Sequence, residues 1–327
     1  MDVAARRWIA TRDRPCDLAA RLRLATREVG LFALSDWSSG YAGRVQRIFV
    51  GDVQGCADEL GDLVARIDAS FGRDFELWLV GDIVNRGPAN VRVLQQVRAL
   101  QDSGRARTVL GNHELSLLRV AFGQRALAAD DTFQQVLEAS DADDWLEWLR
   151  RLPLVETGRI GEQDFAMVHA SVAPGWSLAD LSTFARRVEE RLRESRRDAK
   201  RLLAAKPSED PDADVLARLT RARSVDARGR WSSREPASPE DAWHRRWAAH
   251  DPGYGVVYGH WATQGLHIAR NLRGLDTGCV YHGAYGDRFL TAWLPADDDV
   301  APFAVPDERF WRIAARARDS RIRDEKA

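Results

Sequence analysis

Cysteine is scarce. Three occur in 327 residues, Cys16, Cys56 and Cys279, too few for a disulfide framework, so the expected setting is reducing and cytoplasmic. Cys56 and Cys279 each follow glycine in a tight segment and read as small buried thiols. An excess of either charge is missing too. Lys and Arg total 48 against 49 Asp and Glu, a net charge of -1. That balance speaks against a dedicated nucleic-acid binder, which carries a strong basic excess. No apolar run reaches the roughly 20 residues that span a bilayer, so no membrane association is expected. The N-terminal MDVAARRWIATRDRPCDL lacks the apolar core of a secretory signal. No repeat of solenoid period is evident.

What is present is a recurring pattern. A short apolar run ends in glycine or a polar residue, and a metal-competent side chain follows at once. The runs are Arg47-Ile48-Phe49-Val50 before Gly51-Asp52 and Leu77-Trp78-Leu79-Val80 before Gly81-Asp82. Then come Thr108-Val109-Leu110 before Gly111-Asn112-His113, Phe165-Ala166-Met167-Val168 before His169, and Gly255-Val256-Val257-Tyr258 before Gly259-His260. Continuous apolar runs bounded by turn residues read as buried strands. The polar residues therefore sit just past strand ends, where α/β proteins place ligands. Between the first runs, residues 56–69 carry Leu60, Leu63, Val64 and Ile67 at helical spacing. Residues 88–100 open on Pro88, suited to a first helical turn, and carry Val91, Leu94 and Val97. The order β-α-β-α-β predicts an α/β sheet.

The middle differs. Leu178, Leu181, Phe184, Val188 and Leu192 predict one amphipathic helix over 178–203. Its charged face reads either as a solvated surface laced with ion pairs or as a basic rim for a polyanion. Lys206-Pro207-Ser208 ends that helix, and Ser238-Pro239-Glu240 reads as an N-cap followed by proline. The division expected is an N-terminal extension over 1–45, with a weak helix near 17–28 and a joint at Ser38-Ser39-Gly40. A main domain over 46–300 includes a helical cap of about 178–250. A C-terminal helical extension over 301–327 places Phe310, Ile313 and Ala317 on one face.

Taken as a set, Asp52, Asp82, Asn112, His169 and His260 offer two carboxylates, an amide oxygen and two imidazoles. That donor set suits two borderline divalent ions such as Mn, Fe or Zn. Two ions about 3.5–4 Å apart need a bridging ligand, and Asp82, in the middle of the series, is the natural one. The spacing is regular: 52 to 82 and 82 to 112 are both 30 residues, room for a strand, a crossover helix and a return.

Gly51-Asp52-Val53-Gln54-Gly55, Gly81-Asp82-Ile83-Val84-Asn85-Arg86-Gly87 and Gly111-Asn112-His113-Glu114 resemble the three signature blocks of phosphoprotein-phosphatase-type metallophosphoesterases, the calcineurin-like enzymes. Val168-His169-Ala170 and Gly259-His260 match later blocks. More narrowly, GDIVNRGP at 81–88, LGNHELSLL at 110–118, EASDADDWLEWLRRLPLV at 138–155, GHWA at 259–262 and LDTGCV at 275–280 resemble the symmetrical diadenosine tetraphosphatases. The resemblance covers roughly residues 46–295. It implies a four-layer αββα sandwich with a helical cap insertion and two divalent metal ions, Mn foremost. One ion would be held by Asp52, Asp82 and Gln54, the other by Asp82, Asn112, His169 and His260. His113 would serve beside the substrate as proton donor or electrostatic stabiliser, and Arg86 would bind the attacked phosphate. Thr220-Arg221-Ala222-Arg223 resembles a segment with a second phosphate-binding arginine, and the sequence does not choose between Arg221 and Arg223. The implied partner is a nucleotide or other phosphorylated substrate.

Two departures bear on function. Gln54 stands where the wider superfamily has His, a weaker ligand. Asn85 stands where protein phosphatases have an Asp that keeps the catalytic His protonated. A nucleoside diphosphate leaves readily without a strong general acid, whereas an alkoxide does not. Asn85 therefore favours a phosphoanhydride substrate. The competing readings are a phosphoprotein or phosphomonoester phosphatase on the same scaffold, and a non-catalytic binding protein whose only support is Gln54. Trp261, next to His260, reads either as core or as a stacking partner for a nucleobase. His244, His250, His267 and His282 match no ligand block and read as surface or core.

Overall fold

The computed structural model describes residues 45–281 and 287–316. The expected helix near 17–28, the Ser38-Ser39-Gly40 joint, Cys16, His282 and Ala317 lie outside these residues.

Strand β1 (Gln46–Val50), helix α1 (Ala57–Phe71), strand β2 (Phe75–Leu79), helix α2 (Asn90–Asp102) and strand β3 (Ala106–Thr108) form the expected βαβαβ unit. Helix α3 (Asn112–Ala121), α4 (Gln134–Leu137) and α5 (Ala142–Leu149) follow, then strands β4 (Val155–Ile160) and β5 (Gln163–Val168). The cap contains α6 (Leu178–Glu194), α7 (Arg196–Ala204), α8 (Pro211–Arg221), the short strands β6 (Ser224–Val225) and β7 (Trp231–Ser232), and α9 (Trp243–Ala248). The chain closes with β8 (Gly255–Tyr258), β9 (His267–Ala269), β10 (Leu272–Gly274), β11 (Phe289–Trp293) and β12 (Phe310–Ala314).

Two five-stranded sheets result, ordered β12-β11-β1-β2-β3 and β4-β5-β8-β10-β9. In the first, β1 to β3 are parallel. In the second, β5, β8 and β10 are parallel. Alternation along each strand explains the layers. Ile48, Val50, Leu77, Leu79, Ala166, Val168, Val256 and Tyr258 belong to the core under the helices. Their neighbours Phe49, Trp78, Val80, Phe165, Met167 and Val257 belong to a second core between the sheets. There Phe49 meets Phe165 edge-on at 5.2 Å and Trp78 meets Phe165 at 5.4 Å. Strands buried on both faces need apolar residues at every position, which is why these runs are continuous. Helix, sheet, sheet and helix are the four αββα layers, as expected.

Three expectations need correction. The predicted single helix over 178–203 breaks at Ser195, whose backbone is extended (φ -153°, ψ 159°). Its hydroxyl accepts from the Asp198 N–H at 3.0 Å, which makes it the cap of a new helix. Pro88 lies before the helix it was expected to open, which starts at Asn90. The expected C-terminal helix is instead strand β12, paired antiparallel with β11. Trp311 and Ile313 pack against the helix-side core and Phe310 against the inter-sheet core. That is the period of two of a strand, and Trp311 stacks on Phe71 of α1 at 5.9 Å. The segment before it is anchored by the fully buried pair of Arg273 and Asp307 at 2.9 Å, with the Trp293 indole N–H on the same carboxylate.

The charged face of α6 is largely used up by ion pairs. Arg187 binds Asp212 at 2.5 Å, Arg191 binds Asp210 and Asp212 at 2.9 and 2.6 Å, and Arg193 binds Glu189 at 3.2 Å. The contacts of Arg187 and Arg191 tie α6 to the start of α8, and all of them favour the ion-pair reading over a basic rim. No helix among the described residues is long and apolar enough to cross a membrane.

Candidate metal centre

Asp52 follows β1, Asp82 follows β2, and Asn112 opens the helix after β3. His169 follows β5 directly, and His260 stands two residues past β8. All five lie at the carboxyl ends of parallel strands, three from one sheet and two from the other, so the facing sheets bring both rows together. Close approach demands glycine at two points. A Cβ on Gly259 would lie 2.0 Å from Asp52 Oδ1, and one on Gly111 would lie 2.1 Å from Asp82 Oδ1. Of seven non-glycine residues with positive φ among those described, five are here: Gln54, Asp82, Asn85, Arg86 and His260. Such strain persists only where surrounding contacts enforce it.

Glu114 supplies the enforcement. Fully buried, its carboxylate accepts the backbone N–H groups of Gly111 (2.8 Å), Asp82 (3.0 Å), Ile83 (2.8 Å) and Val84 (3.2 Å). It fastens the turn after β2 to the turn after β3. The carbonyl of Asp82 in turn takes the N–H groups of Val53 and Gln54, which places Gln54 beside Asp82.

The donor atoms converge. One ligand atom from each of Asp82, His169 and His260 lies within 4.8 Å of the others. His169 Nδ1 faces only an acceptor, the Val80 carbonyl at 2.8 Å, so that nitrogen carries a proton. Its Nε2 faces Asp82 Oδ2 at 3.3 Å and Asn112 Oδ1 at 3.0 Å. A nitrogen and two oxygens directed at one point require a proton or a cation between them. His260 Nε2 faces the Arg221 carbonyl at 3.2 Å, which leaves its Nδ1 for a ligand. This is the outer hydrogen bonding that orients imidazole ligands of metals.

Electrostatics point the same way. Four carboxylates, Asp52, Asp82, Glu114 and Asp276, are buried together. Burial, then the charges of Asp276 and Asp82, raise Asp52 well above the usual carboxylate range. Burial and Asp82 push Glu114 up to about 7. Asp276 reaches about 6, chiefly through burial. Burial also presses Asp82 upward, but the His169 and His113 imidazoles hold it well below its usual value. Asp82 in return raises His169 against the cost of burial. Burial, Arg223 and His169 lower His260. Crowded carboxylates with raised protonation are what a divalent cation relieves. The residues fit the metal ions that the sequence implies.

Around this centre the expected residues take distinct places. Asn85 Oδ1 accepts two backbone N–H groups, from Arg86 at 2.9 Å and Thr132 at 3.0 Å. Its NH₂ therefore faces Asp131 Oδ1 at 3.0 Å and His113 Nδ1 at 2.8 Å. An amide N–H directed at Nδ1 leaves the His113 proton on Nε2, which stands 3.6 Å from Asp82 Oδ2. Arg86 is buried and ion-paired with Asp130. Arg223 and Arg221 are now distinguishable. The Arg223 guanidinium donates to the carbonyls of Ser233 at 3.0 Å and His260 at 3.3 Å. Arg221 meets His260 through its backbone only, and its side-chain charge acts on Arg119.

Trp261 belongs to the core under the helices. It is 6% exposed, and its indole N–H lies 2.9 Å from both Glu235 carboxylate oxygens. His244 and His267 pack together 4.4 Å apart near it, outside the metal centre. Cys56, Glu59 and Cys279 bring their ligand atoms within 4.8 Å of one another in the core. Glu114, Asp276, Asp130 and Asp131 carry no expected role from the sequence. The first two stand inside quoted motifs, a signal that was available; the aspartates at 130 and 131 carried none.

The fold and the metal centre define a class, and comparison with known proteins agrees. The family model for calcineurin-like phosphoesterases matches residues 47–264, and the chain belongs to that family. Membership makes it a phosphoesterase that works with divalent metal ions. Within the family it is similar to proteins named symmetrical bis(5'-nucleosyl)-tetraphosphatase. One from Janthinobacterium sp. (strain Marseille) is 38% identical over 250 residues, 72% of this chain and 89% of that protein. Another, from Chromohalobacter salexigens, is 40% identical over 255 residues, 72% of this chain and 91% of that one. A crystal structure provisionally named a diadenosine tetraphosphatase shares the fold at a TM-score of 0.53 and 22% identity, covering 84% of this chain and 96% of that one.

Proposed function

We propose that this chain hydrolyses dinucleoside tetraphosphates symmetrically, diadenosine tetraphosphate giving two ADP. The similarity to the tetraphosphatases along about nine-tenths of their length carries the substrate. The Asn85 amide on His113 supports a phosphoanhydride over a phosphomonoester, because a donor at Nδ1 opposes protonation of the ring.

Asp52, Gln54 and Asp82 would hold one divalent ion, and Asp82, Asn112, His169 and His260 the other, with Mn the first candidate. When bound, such ions lower the pKa of water toward neutrality and draw charge from phosphoryl oxygens. Arg86, once Asp130 yields it, offers a planar fork to two oxygens of the attacked phosphate. Arg223, whose guanidinium lies on the His260 carbonyl, adds a second positive group for the charge that develops in the transition state. The His113 Nε2 proton faces the same space. The water oxygen bonds to an inner phosphorus, and the bridging P–O bond breaks. Its electron pair leaves on the second nucleoside diphosphate, and the water protons pass to solvent. Two buried thiols, Cys56 and Cys279, suit a reducing cytoplasmic setting.

Steady-state kinetics with added Mn on diadenosine tetraphosphate, a phosphoserine peptide and phenyl phosphate test this reading. The tetraphosphate should be preferred in kcat/KM by at least ~10²-fold, since transition-state binding sets substrate choice. Preference for the phosphopeptide would transfer the chain to the protein-phosphatase reading.

A further inference from the structure

A second group of metal-competent side chains lies outside the centre described above. Cys56, Glu59 and Cys279 are buried, and one ligand atom from each lies within 4.8 Å of the other two. Two distant segments bring them together. Cys56 is the cap residue ahead of α1, just after the turn that carries Asp52 and Gln54. Glu59 stands three residues on in the first turn of α1, a spacing that puts two side chains on one helix face. Cys279 opens a short helical turn (Cys279–Tyr281) after Asp276, whose carboxylate accepts the Gly278 N–H at 2.9 Å.

The donors differ in kind from those of the catalytic centre. Asp, Asn, Gln and His offer oxygen and nitrogen, whereas paired thiolates select softer ions such as Zn over Mn. Around a tetrahedral zinc, with Zn–S about 2.3 Å and Zn–O about 2.0–2.2 Å, sulfur stands roughly 3.5–3.8 Å from the other donors. Cys56 Sγ lies 3.7 Å from the Gln54 carbonyl oxygen, so that carbonyl offers a fourth donor at the right separation. Two thiolates and a carboxylate carry three negative charges. A divalent ion reduces them to one, at the N-terminal end of α1, where backbone N–H groups favour negative charge.

We propose that Cys56, Glu59 and Cys279 form a third metal site, which takes one soft divalent ion, zinc foremost, in a structural role. Binding releases the two thiol protons to solvent as the metal–sulfur bonds form. The ion ties the turn after β1 to the segment after β10. Through Glu59, whose Oε1 accepts the Arg316 N–H at 2.8 Å, it also reaches the residues just past β12. Gln54 is then held at its backbone while its side chain faces the catalytic pair, which steadies a weak ligand. Thiolates do not select Mn, so loading with Mn alone fills the catalytic pair only.

The test uses the full chain, its thiols kept reduced by a phosphine, saturated with cobalt(II) at every site. Sulfur-to-cobalt charge transfer absorbs in the near ultraviolet, and the catalytic centre contains no sulfur, so the band reports thiolate ligands alone. The parent should show the band and bind three cobalt ions per chain. Cys56→Ser and Cys279→Ser should each lose the band and one ion, and Cys16→Ser should match the parent. Asp82→Asn should keep the band while it loses catalytic ions, which separates the two sites. Should a serine variant fail to fold, cadmium NMR of the parent answers the same question. A resonance in the range of thiolate ligation supports the site, and resonances of oxygen and nitrogen ligation alone overturn it. A parent that binds two cobalt ions with no charge-transfer band, or a band that survives in both serine variants, also overturns it.

Discussion

Asp82→Asn is expected to lower turnover of diadenosine tetraphosphate at least ~10³-fold, the scale of losing a central charged element of an active site. The substitution preserves shape and removes charge. Asp82 Oδ1 accepts the His113 N–H at 2.9 Å, a bond that an amide oxygen can keep. Oδ2 is different: it faces His169 Nε2 at 3.3 Å and His113 Nε2 at 3.6 Å. An amide NH₂ in its place would direct hydrogens into the point where the donor atoms converge. Metal content, read by elemental analysis after dialysis, should fall from two ions per chain toward one or none. A variant that turns over at near-normal rates with Mn present would rule Asp82 out as a ligand of the proposed metal ions.

The second large effect is expected at Glu114, which touches no substrate in this account and acts through position. Its two oxygens accept four backbone N–H groups. Glu114→Gln would set an NH₂ against at least one pair of those donors. Each buried donor left unsatisfied costs about 1–3 kcal/mol, so a loss of roughly 2–5 kcal/mol in stability is expected. Asp82 and Asn112 should then lose their registration. The diagnostic readout is order: on mild heating, metal release should precede global unfolding in the variant, whereas the two should coincide in the parent. Metal retention equal to that of the parent would mean that the turn after β2 holds itself.

The ends of the buried strands were the most legible part of the chain, and the reason is physical. A strand covered on both faces must be apolar throughout, as Ile48, Phe49 and Val50 are, split between two cores. The polar residue after such a run stands out. The same feature made Asp52, Asp82, Asn112, His169 and His260 readable as a set. Less legible were elements whose fate depends on a neighbour. Phe310 and Ile313 are three apart, as on a helix, but β11 offers an open edge, and pairing with it wins. Ser195 ends one helix and caps the next because Asp198 stands three residues on, a local cue that apolar periodicity hides. Trp261 beside a proposed ligand suggested stacking, yet its ring packs in the core while its indole N–H meets Glu235, 26 residues earlier in the chain.

Roles assigned across long sequence distance were not readable at all. Glu114 acts on backbone 30 to 32 residues before it. Asp131 reaches His113 only through Asn85. Arg221 and Arg223, identical in type and two residues apart, part company because α8 ends at Arg221 and the backbone turns extended at Ala222 (φ -75°, ψ 133°). Asn85, in contrast, was read from sequence as the loss of a carboxylate. The structure adds the direction of its hydrogen bond, because two backbone N–H groups fix which end of the amide meets His113.

The central claim is tested most directly by the products formed from diadenosine tetraphosphate by the Mn-loaded chain, followed by ion-exchange chromatography from the first few per cent of reaction. ADP alone is expected, two per substrate consumed, with neither ATP nor AMP at any time. ATP and AMP in equal amounts, or an intact substrate under conditions where a phosphopeptide is hydrolysed, would contradict it.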